Sequence, residues 1–520
     1  MKASRRNATR VIASNSFWYS FESMFAIAMV FATSIPMARI LGPHKTSHFL
    51  YVTWISNVSG LLAIGIPSIT SKYMAEYHAR GEYGVARAIF DKTLSLQVMA
   101  ALLITGASEL TLLLVGDPQY RVVSMIQVFA VLPGMIVAVP SQANAAAEEL
   151  RANVVGSIVS SVIYLMGVVS SLYFHWDLFG IAIGFALSRC AELAIRLPQV
   201  VRRVHRYPRG RVPDEVRPAM RKYALNSLLL MLLNVVVWDK SDIVMLNWLS
   251  KDDKQITFFA LTFNIIEKMV LIPQVFGHAL GVTMLADYGR DPARVALIAK
   301  SAAKYMYLFA APMLFGLALM SGPLVLAVYT DKYAQMIPVL AVAAALALFK
   351  PLLLPVQYYY RAHNRQKPLL IWNSACGVLN FGVDFTLIPR LGALGASIGN
   401  GVAQTSAVLG IWIFAIWTGG LSLDFAALSK ITLALLAMAP PVLFLNSVLP
   451  PVVALFVSIP VGAIVFLGLI RLTSVLNVED CERLNHVSGS LPARIRPSFQ
   501  RLVRLMVPAA REAARSAHNG

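Results

Sequence analysis

A chain of 520 residues that is 57% hydrophobic and only 14% charged, with a mean hydropathy of +0.65, is not a water-soluble globule. Soluble proteins carry roughly 25% charged residues. Its net charge of +19 would point to nucleic acid in a soluble protein; on so apolar a chain it has the plainer role of orienting helices in a membrane.

The chain opens with Lys2, Arg5, Arg6 and Arg10, which lead into an apolar run longer than that of a signal peptide, with no small-residue cleavage site after it. Stretches of about 20 apolar residues then predict fourteen helices, near 15–38, 47–69, 90–115, 120–145, 152–174, 178–198, 223–248, 255–284, 302–329, 333–357, 368–389, 393–417, 426–447 and 452–471. The breaks at 288–300 and 361–367 are sharp, and the one near 391 is tight. With the N-terminus in the cytoplasm, 34 of the 45 Lys and Arg fall in cytoplasmic segments, 7 on the opposite side and 4 (Arg189, Lys240, Lys268, Lys350) inside helices. Such an asymmetry is a positive-inside signal that places both termini and the 199–222 linker in the cytoplasm. A thiol introduced by His205→Cys is therefore expected to react with an impermeant reagent only from the cytoplasmic side, and one introduced by Ser250→Cys only from outside. Outside labelling at position 205 would invert the topology.

The resulting organisation is an N-lobe at 1–206 (helices 1–6), a basic cytoplasmic linker at 207–222, a C-lobe at 223–420 (helices 7–12), helices 13 and 14 at 421–475, and a cytoplasmic tail at 476–520. The arginine-dense linker anchors the topology and can also meet anionic lipid headgroups. The tail, rich in Arg and Ala and broken by Pro492, Pro497 and Pro508, reads as partly disordered or amphipathic. Outer-face loops are short, which argues against a membrane polysaccharide polymerase or ligase. Such an enzyme needs a sizeable outer loop for acceptor and catalytic groups.

The second half is a weak copy of the first. Asn15-Ser16 recurs as Asn226-Ser227 and Glu76-Tyr77 as Asp287-Tyr288, each 211 positions on. Pro140-x-Gln142 recurs as Pro355-x-Gln357, and Gly180-Ile-Ala-Ile-Gly184 as Gly395-Ala-Ser-Ile-Gly399, each 215 positions on. Duplicated blocks of membrane helices characterise secondary transporters, whose substrate site lies where the copies meet. An even number of helices per copy gives both the same orientation, related by an axis along the membrane normal.

Charges within spans cost at least about 2.5–3.5 kcal/mol on insertion scales, so each is a functional candidate. Arg189 and Glu192 are three apart on one helix face and neutralise each other. Glu267 and Lys268 are adjacent and need separate partners. Lys350 precedes Pro351, in a helix that Pro351 and Pro355 should kink, which opens a polar path. Asp239-Lys240-Ser-Asp242 marks either the outer water boundary or a site. Asn380 and Asp384 share a helix face within an apolar run, yet their counterparts in the first copy are Leu165 and Val169. The fold itself does not require them. A cation held by carboxylate, amide and hydroxyl oxygens would account for the asymmetry; a hydrogen-bonded structural pair is the alternative. The cation candidates for a phosphate-bearing substrate are Lys72, Lys268, Lys350 and Arg361. Phe17-Trp18-Tyr19 and Tyr358-Tyr359-Tyr360 read either as sugar-stacking surfaces or as interfacial anchors. Cys190, Cys376 and Cys481 have no metal-type spacing and predict no disulfide. No Walker motif, HExxH, catalytic triad or phosphate-binding glycine loop occurs, which argues against ATP-driven transport by this chain alone.

Ala38-Arg39-Ile-Leu41-Gly42-Pro43, Ile64-Gly65-Ile66-Pro67-Ser68, Lys72-Tyr73-Met74-Ala75-Glu76 and Ile388-Pro389-Arg390-Leu391-Gly392-Ala393-Leu394-Gly395-Ala396 resemble polysaccharide-transporter sequences. They are similar to those of the Wzx-type oligosaccharide flippases within the multidrug/oligosaccharidyl-lipid/polysaccharide exporter superfamily. The resemblance, over roughly 15–475, implies an all-α polytopic membrane protein of about fourteen helices. Two six-helix lobes form a V, related by a pseudo-twofold along the membrane normal, and two C-terminal helices follow. It implies a non-enzymatic flippase of the inner membrane that moves an undecaprenyl-diphosphate-linked oligosaccharide outward by alternating access, for O-antigen or exopolysaccharide synthesis. The expected partners are the lipid-linked oligosaccharide, membrane lipids, and a polysaccharide polymerase with its chain-length machinery; no nucleic acid and no cofactor is expected. Some lipid II flippases of this superfamily bind sodium through an Asp on helix 7, an Asn and Asp one turn apart on helix 11, and a hydroxyl on helix 12. Asp239, Asn380 and Asp384 match that pattern and Asn400 stands where the hydroxyl would be, so coupling to Na+ or H+ is the expectation. Those flippases carry several arginines in the first two helices. Here helix 1 has Glu22 and helix 2 ends near Lys72, which disfavours lipid II as substrate. A drug exporter of the same superfamily is the runner-up, and it would carry more cavity acids.

Overall fold

The computed structural model describes residues 2–238, 241–288, 292–363, 365, 367–418, 420–476, 480, 497, 500 and 501. Among these the secondary structure is helical throughout, with no strand. Among the described residues ten helices are long and apolar enough to cross a membrane: Met24–Leu61, Tyr83–Val115, Arg121–Ala146, Leu150–Tyr173, Asp177–Val204, Arg294–Leu319, Met336–Ala362, Ala393–Trp417, Phe425–Val448 and Pro451–Leu472. The protein is thus a multi-pass membrane protein. Among the described residues the fourteen expected segments lie mostly on helix, with turns at 62–64 and 334–335 inside two of them, and Met24–Leu61 contains parts of the first two. Val216–Trp238, Lys254–Tyr288 and Lys367–Leu391 are the remaining long helices. Large apolar side chains on the outer faces, such as Phe444, Phe456 and Ile464, are exposed, as lipid-facing surfaces require. The side chains of Phe17-Trp18-Tyr19, together with Asp239, Cys481 and nearly all of the 476–520 tail, lie outside the described residues.

Contacts divide the chain into two compact units, Met1–Asp239 and Lys240–Gly520. In the first unit, the Leu41-Gly42-Pro43 motif breaks Lys2–Leu61 into two helices. Gly42 sits at φ 69°, ψ 173°, a left-handed φ that glycine tolerates with the extended ψ that a following proline demands. Leu150–Tyr173 and Asp177–Val204 form a close hairpin in which the backbones of Gly167 and Gly184 touch and Gly180 meets Ser171 and Trp176. Gly180-x-x-x-Gly184 is thus a small-residue packing stripe of the kind that lets membrane helices approach closely. A π-helical turn, Thr70–Met74, interrupts the helical run between Gly65 and Ala79. The helix Val216–Trp238 groups with this unit, and the Ala224 carbonyl packs on Gly65. The basic linker docks onto Tyr83–Val115. Arg87 donates to the carbonyls of His205 (3.0 Å) and Tyr207 (2.8 Å), and the Tyr207 hydroxyl meets His78 Nε2 at 3.3 Å. Burial raises the Tyr207 phenol above its ordinary value, so it remains a donor at neutral pH.

In the second unit, Lys367–Leu391 and Ala393–Trp417 form the matching hairpin. It turns on Gly392 alone, at φ 55°, and the Ala393 amide donates to Gln255 Oε1 at 3.0 Å. Gly395 packs on the backbone of Leu387 and Ile388. The final hairpin pairs Phe425–Val448, capped by Asp424 accepting from the Ala427 amide at 3.0 Å, with Pro451–Leu472, which starts with proline at its first position. It packs on the helices Pro292–Leu319 and Ser321–Val328.

Two residues assigned by sequence to cytoplasmic segments are buried instead. Arg196, read as the cytoplasmic edge of the 178–198 span, lies inside the first unit because Glu192, Ser141, Asn153 and Ser157 satisfy its guanidinium there. Lys304 pairs with Asp480 at 2.6 Å, and Asp480 also accepts from the Tyr305 hydroxyl at 2.6 Å.

Candidate functional site

The second unit buries four polar side chains together where three helices meet. Asp242 opens the helix Asp242–Leu249, where the N-terminal dipole favours a carboxylate. Asn380 and Asp384 lie one turn apart on Lys367–Leu391, and Asn400 lies on Ala393–Trp417. The Asn380 amide donates to Asp242 Oδ1 at 3.0 Å and lies 3.4 Å from Asp384 Oδ2. The Asn400 amide donates to Asp242 Oδ2 at 2.9 Å, and the carboxyls of Asp242 and Asp384 meet directly. All four residues are at most 2% exposed.

Asn380, Asp384 and Asn400 thus come together as the sequence suggested. The helix-7 acid that joins them is Asp242, whereas Asp239, the acid chosen from sequence, falls outside the described residues. Sequence offered both: they are three apart in one charged cluster, and only the helix start at Asp242 distinguishes them. The hairpin's second glycine, Gly399, makes the room, since a Cβ there would collide with the Asp384 carboxylate.

Both asparagine NH2 groups point at Asp242. Their carbonyl oxygens, Asp384 Oδ1 and the nearby Ser397 hydroxyl are buried without a hydrogen-bond partner among the described residues. Buried acceptors left unsatisfied are costly. A set of carboxylate, amide and hydroxyl oxygens without nitrogen or sulfur suits a hard cation. The residues therefore fit a small monovalent or hard cation, and equally a proton shared between the two carboxyls.

The four cations selected from sequence are divided between the two units, Lys72 in the first and Lys268, Lys350 and Arg361 in the second. Lys72 is exposed in the first unit, within the π-helical turn, with its ammonium over the rings of Tyr223 (4.5 Å) and Tyr73 (5.0 Å). π-turns recur at functional positions. In the second unit Lys268 and Lys350 are half-buried, and Arg361 is exposed beside Tyr358 at 5.7 Å. The helix carrying Lys268 packs against the segment 347–362 that carries Lys350 and Arg361. Within the tyrosine run, Tyr358 is pressed on Gly281 and Tyr360 is also buried, so neither offers a free ring face to a sugar.

An apolar cavity of about 430 Å³ lies among Leu308, Phe309, Met313, Met438, Val442 and Phe466, between the final hairpin and Pro292–Leu319. It provides hydrocarbon-like walls of the sort a lipid chain needs.

In the first unit the expected Arg189–Glu192 pair, 3.3 Å apart, is one end of a longer network. Glu192 also holds Arg196 at 2.7 Å. Arg196 donates to Ser141 Oγ (2.8 Å), the Asn153 carbonyl (2.7 Å) and Ser157 Oγ (2.6 Å), and Ser157 donates to Glu22 at 2.5 Å. Glu192–Arg196 is a second pair on the same helix, four residues apart; the links to Ser141, Asn153, Ser157 and Glu22 join different helices, which spacing along one helix does not reveal.

Comparison with known proteins agrees with this architecture. Residues 12–282 match a family model described as polysaccharide biosynthesis protein. No curated protein matches the sequence. Among solved structures, the lipid II flippase MurJ in an inward closed conformation aligns with a TM-score of 0.69 and 14% identity, covering 88% of this chain and 98% of that one. An inward-facing multidrug resistance MATE family transporter of the MOP superfamily aligns at 0.62 and 14%, covering 79% and 96%. The Vibrio cholerae MATE transporter VcmN aligns at 0.55 and 14%, covering 78% and 97%. At such identities the likeness establishes the fold.

Proposed function

The chain belongs to the polysaccharide biosynthesis protein family, and on that premise we propose that it is a flippase for a lipid-linked oligosaccharide. It moves the glycan head across the membrane by alternating access, coupled to an ion gradient. The task is to carry a polar head bearing a pyrophosphate past about 30 Å of hydrocarbon. The buried Asp242–Asn380–Asp384–Asn400 cluster carries the reading. Two carboxyls in contact within apolar surroundings require a proton or a metal cation between them, and either one ties a conformational change to a gradient. The first copy, with Leu165 and Val169 at the matching positions, folds the same hairpin without them. The apolar cavity beside the final hairpin supports a lipid portion, and Lys72 in the first unit and Lys268, Lys350 and Arg361 in the second are the cations proposed to meet the pyrophosphate in the course of transport.

Reconstituted protein is expected to move a fluorescent undecaprenyl-diphosphate oligosaccharide between leaflets of a liposome, and faster when a sodium or proton gradient is imposed. Absence of movement under every gradient, with a lipophilic cation transported instead, would make it a drug exporter. The double variant Lys72→Ala, Arg361→Ala is expected to lower glycan export severalfold at unchanged protein level, because charge-assisted bonds to the diphosphate are lost. Normal export would retire both residues as headgroup contacts.

A further inference from the structure

The first unit contains a second polar cavity that the coupling cluster does not use. It measures about 180 Å³ and is lined by Thr53, Ser56, Asn57, Gln97 and Arg189, with Phe185 and other apolar groups around them. This is below the roughly 300–1,000 Å³ of pockets for drug-sized ligands, so it takes one small polar group rather than a whole repeat unit.

Its depth is telling. Arg189 is twelve residues from the start and fifteen from the end of Asp177–Val204, roughly 18 and 22 Å along the axis at 1.5 Å per residue. Gln97 is fourteen and eighteen residues from the ends of Tyr83–Val115. Arg189 therefore sits near the middle of its predicted span, the depth at which transporters bind their cargo.

The donors and acceptors are prepared. Gln97 donates its amide to the Met135 carbonyl at 2.9 Å, which fixes the side chain and leaves Oε1 as an unpaired acceptor; Ser56 Oγ is unpaired as well. Ser56 and Gln97 are 4% and 2% exposed. Thr53 Oγ1 accepts from Gln127 at 3.0 Å, so its own proton is available to the cavity. Arg189 lies over Phe185 at 5.3 Å. It shares Glu192 with Arg196, which holds that acid at the shorter distance, 2.7 Å against 3.3 Å. Arg189 keeps donors for an incoming anion.

We propose that this cavity is a sugar subsite that recognises a single acidic monosaccharide of the uronic-acid class. Arg189 takes the carboxylate, while Ser56, Gln97 and Thr53 take ring hydroxyls. The assignment deepens the flippase reading and rests on it for its biological role. Its test measures binding alone, so a negative result here leaves the transport reading standing.

The experiment titrates detergent-purified full-length protein with methyl glucuronide, methyl glucoside and inorganic pyrophosphate, read by calorimetry or ligand-observed NMR. The glucuronide is expected to bind about tenfold or more tighter than the glucoside, as one charge-assisted hydrogen bond provides. Arg189→Gln should erase that preference, and Gln97→Leu should weaken both sugars. Asn57 is an exposed lining residue, so Asn57→Asp adds a charge to the cavity wall without removing a packed contact; in folded protein, verified by gel filtration, it should cut glucuronide binding about tenfold and spare the glucoside. Equal binding of both sugars, or an unchanged preference in Asn57→Asp, would overturn the proposal. Pyrophosphate binding in place of the glucuronide would make it an anion site for the lipid carrier and overturn the sugar assignment.

Discussion

Asp384→Asn is expected to abolish gradient-driven export while leaving the protein in the membrane, and sodium is expected to raise the thermal midpoint of the wild type but not of this variant. The substitution keeps size and hydrogen-bonding capacity and removes one negative charge from a pair that shares its counter-cation. The folded hairpin should survive, since the first copy builds it with Val169 at this position. What is lost is the reason for a cation to enter. Asp242→Asn should behave alike, because both asparagine amides converge on Asp242. Gly399→Ala should reproduce the defect by a steric route, its Cβ falling on the Asp384 carboxylate. A response of the wild type to pH with none to sodium would identify the proton as the coupling ion. Normal export by Asp384→Asn, with no response to either, would leave the cluster structural.

The second large effect belongs to stability. Glu192→Ala is expected to destabilise the protein by about 3–5 kcal/mol, the usual consequence of removing one partner of a buried ion pair. Here it strands two guanidinium groups, Arg189 and Arg196, of which Arg196 is 6% exposed. Unfolding in detergent, followed by tryptophan fluorescence against urea or temperature, checks this. Glu22→Ala should cost much less, since Glu22 is half-buried and reaches Arg196 only through Ser157. Equal effects of the two would show that the network acts as one unit.

Much of the fold was legible because helix length and apolarity are local properties. Among the described residues the expected spans lie mostly on helix, and the repeat Gly180-x-x-x-Gly184 and Gly395-x-x-x-Gly399 marks the close hairpin in each half. The same residues also show why the two halves differ. Gly184 admits the backbone of Gly167, whereas Gly399 admits the Asp384 carboxylate. The pair Asn380–Asp384 was readable because its one-turn spacing and apolar surroundings lie in one helix. The third partner was not fixed by sequence, because Asp239 and Asp242 differ only in their relation to where a helix begins. Arg196 was misplaced for a related reason. Its charge reads as a boundary, and the groups that satisfy it, Ser141, Asn153 and Ser157, come from other helices that no spacing rule connects to it. The polar cavity of the first unit was half visible in sequence, where Arg189 stood out as an intramembrane charge, but Ser56 and Gln97 become significant only through packing.

The turns at Gly42 and Gly392 have a practical side. Where two helices are joined through a single residue there is no slack chain, so neither place will accept an epitope, a protease cleavage sequence or a new chain terminus without separating the helices it joins. Cleavage sites or tags should instead enter the linker at its exposed turn Asp214-Glu215, away from the Arg87 contacts at His205 and Tyr207. Cross-links meant to report motion can in turn use these two corners as rigid reference points, since their distances within each hairpin should stay fixed through the transport cycle.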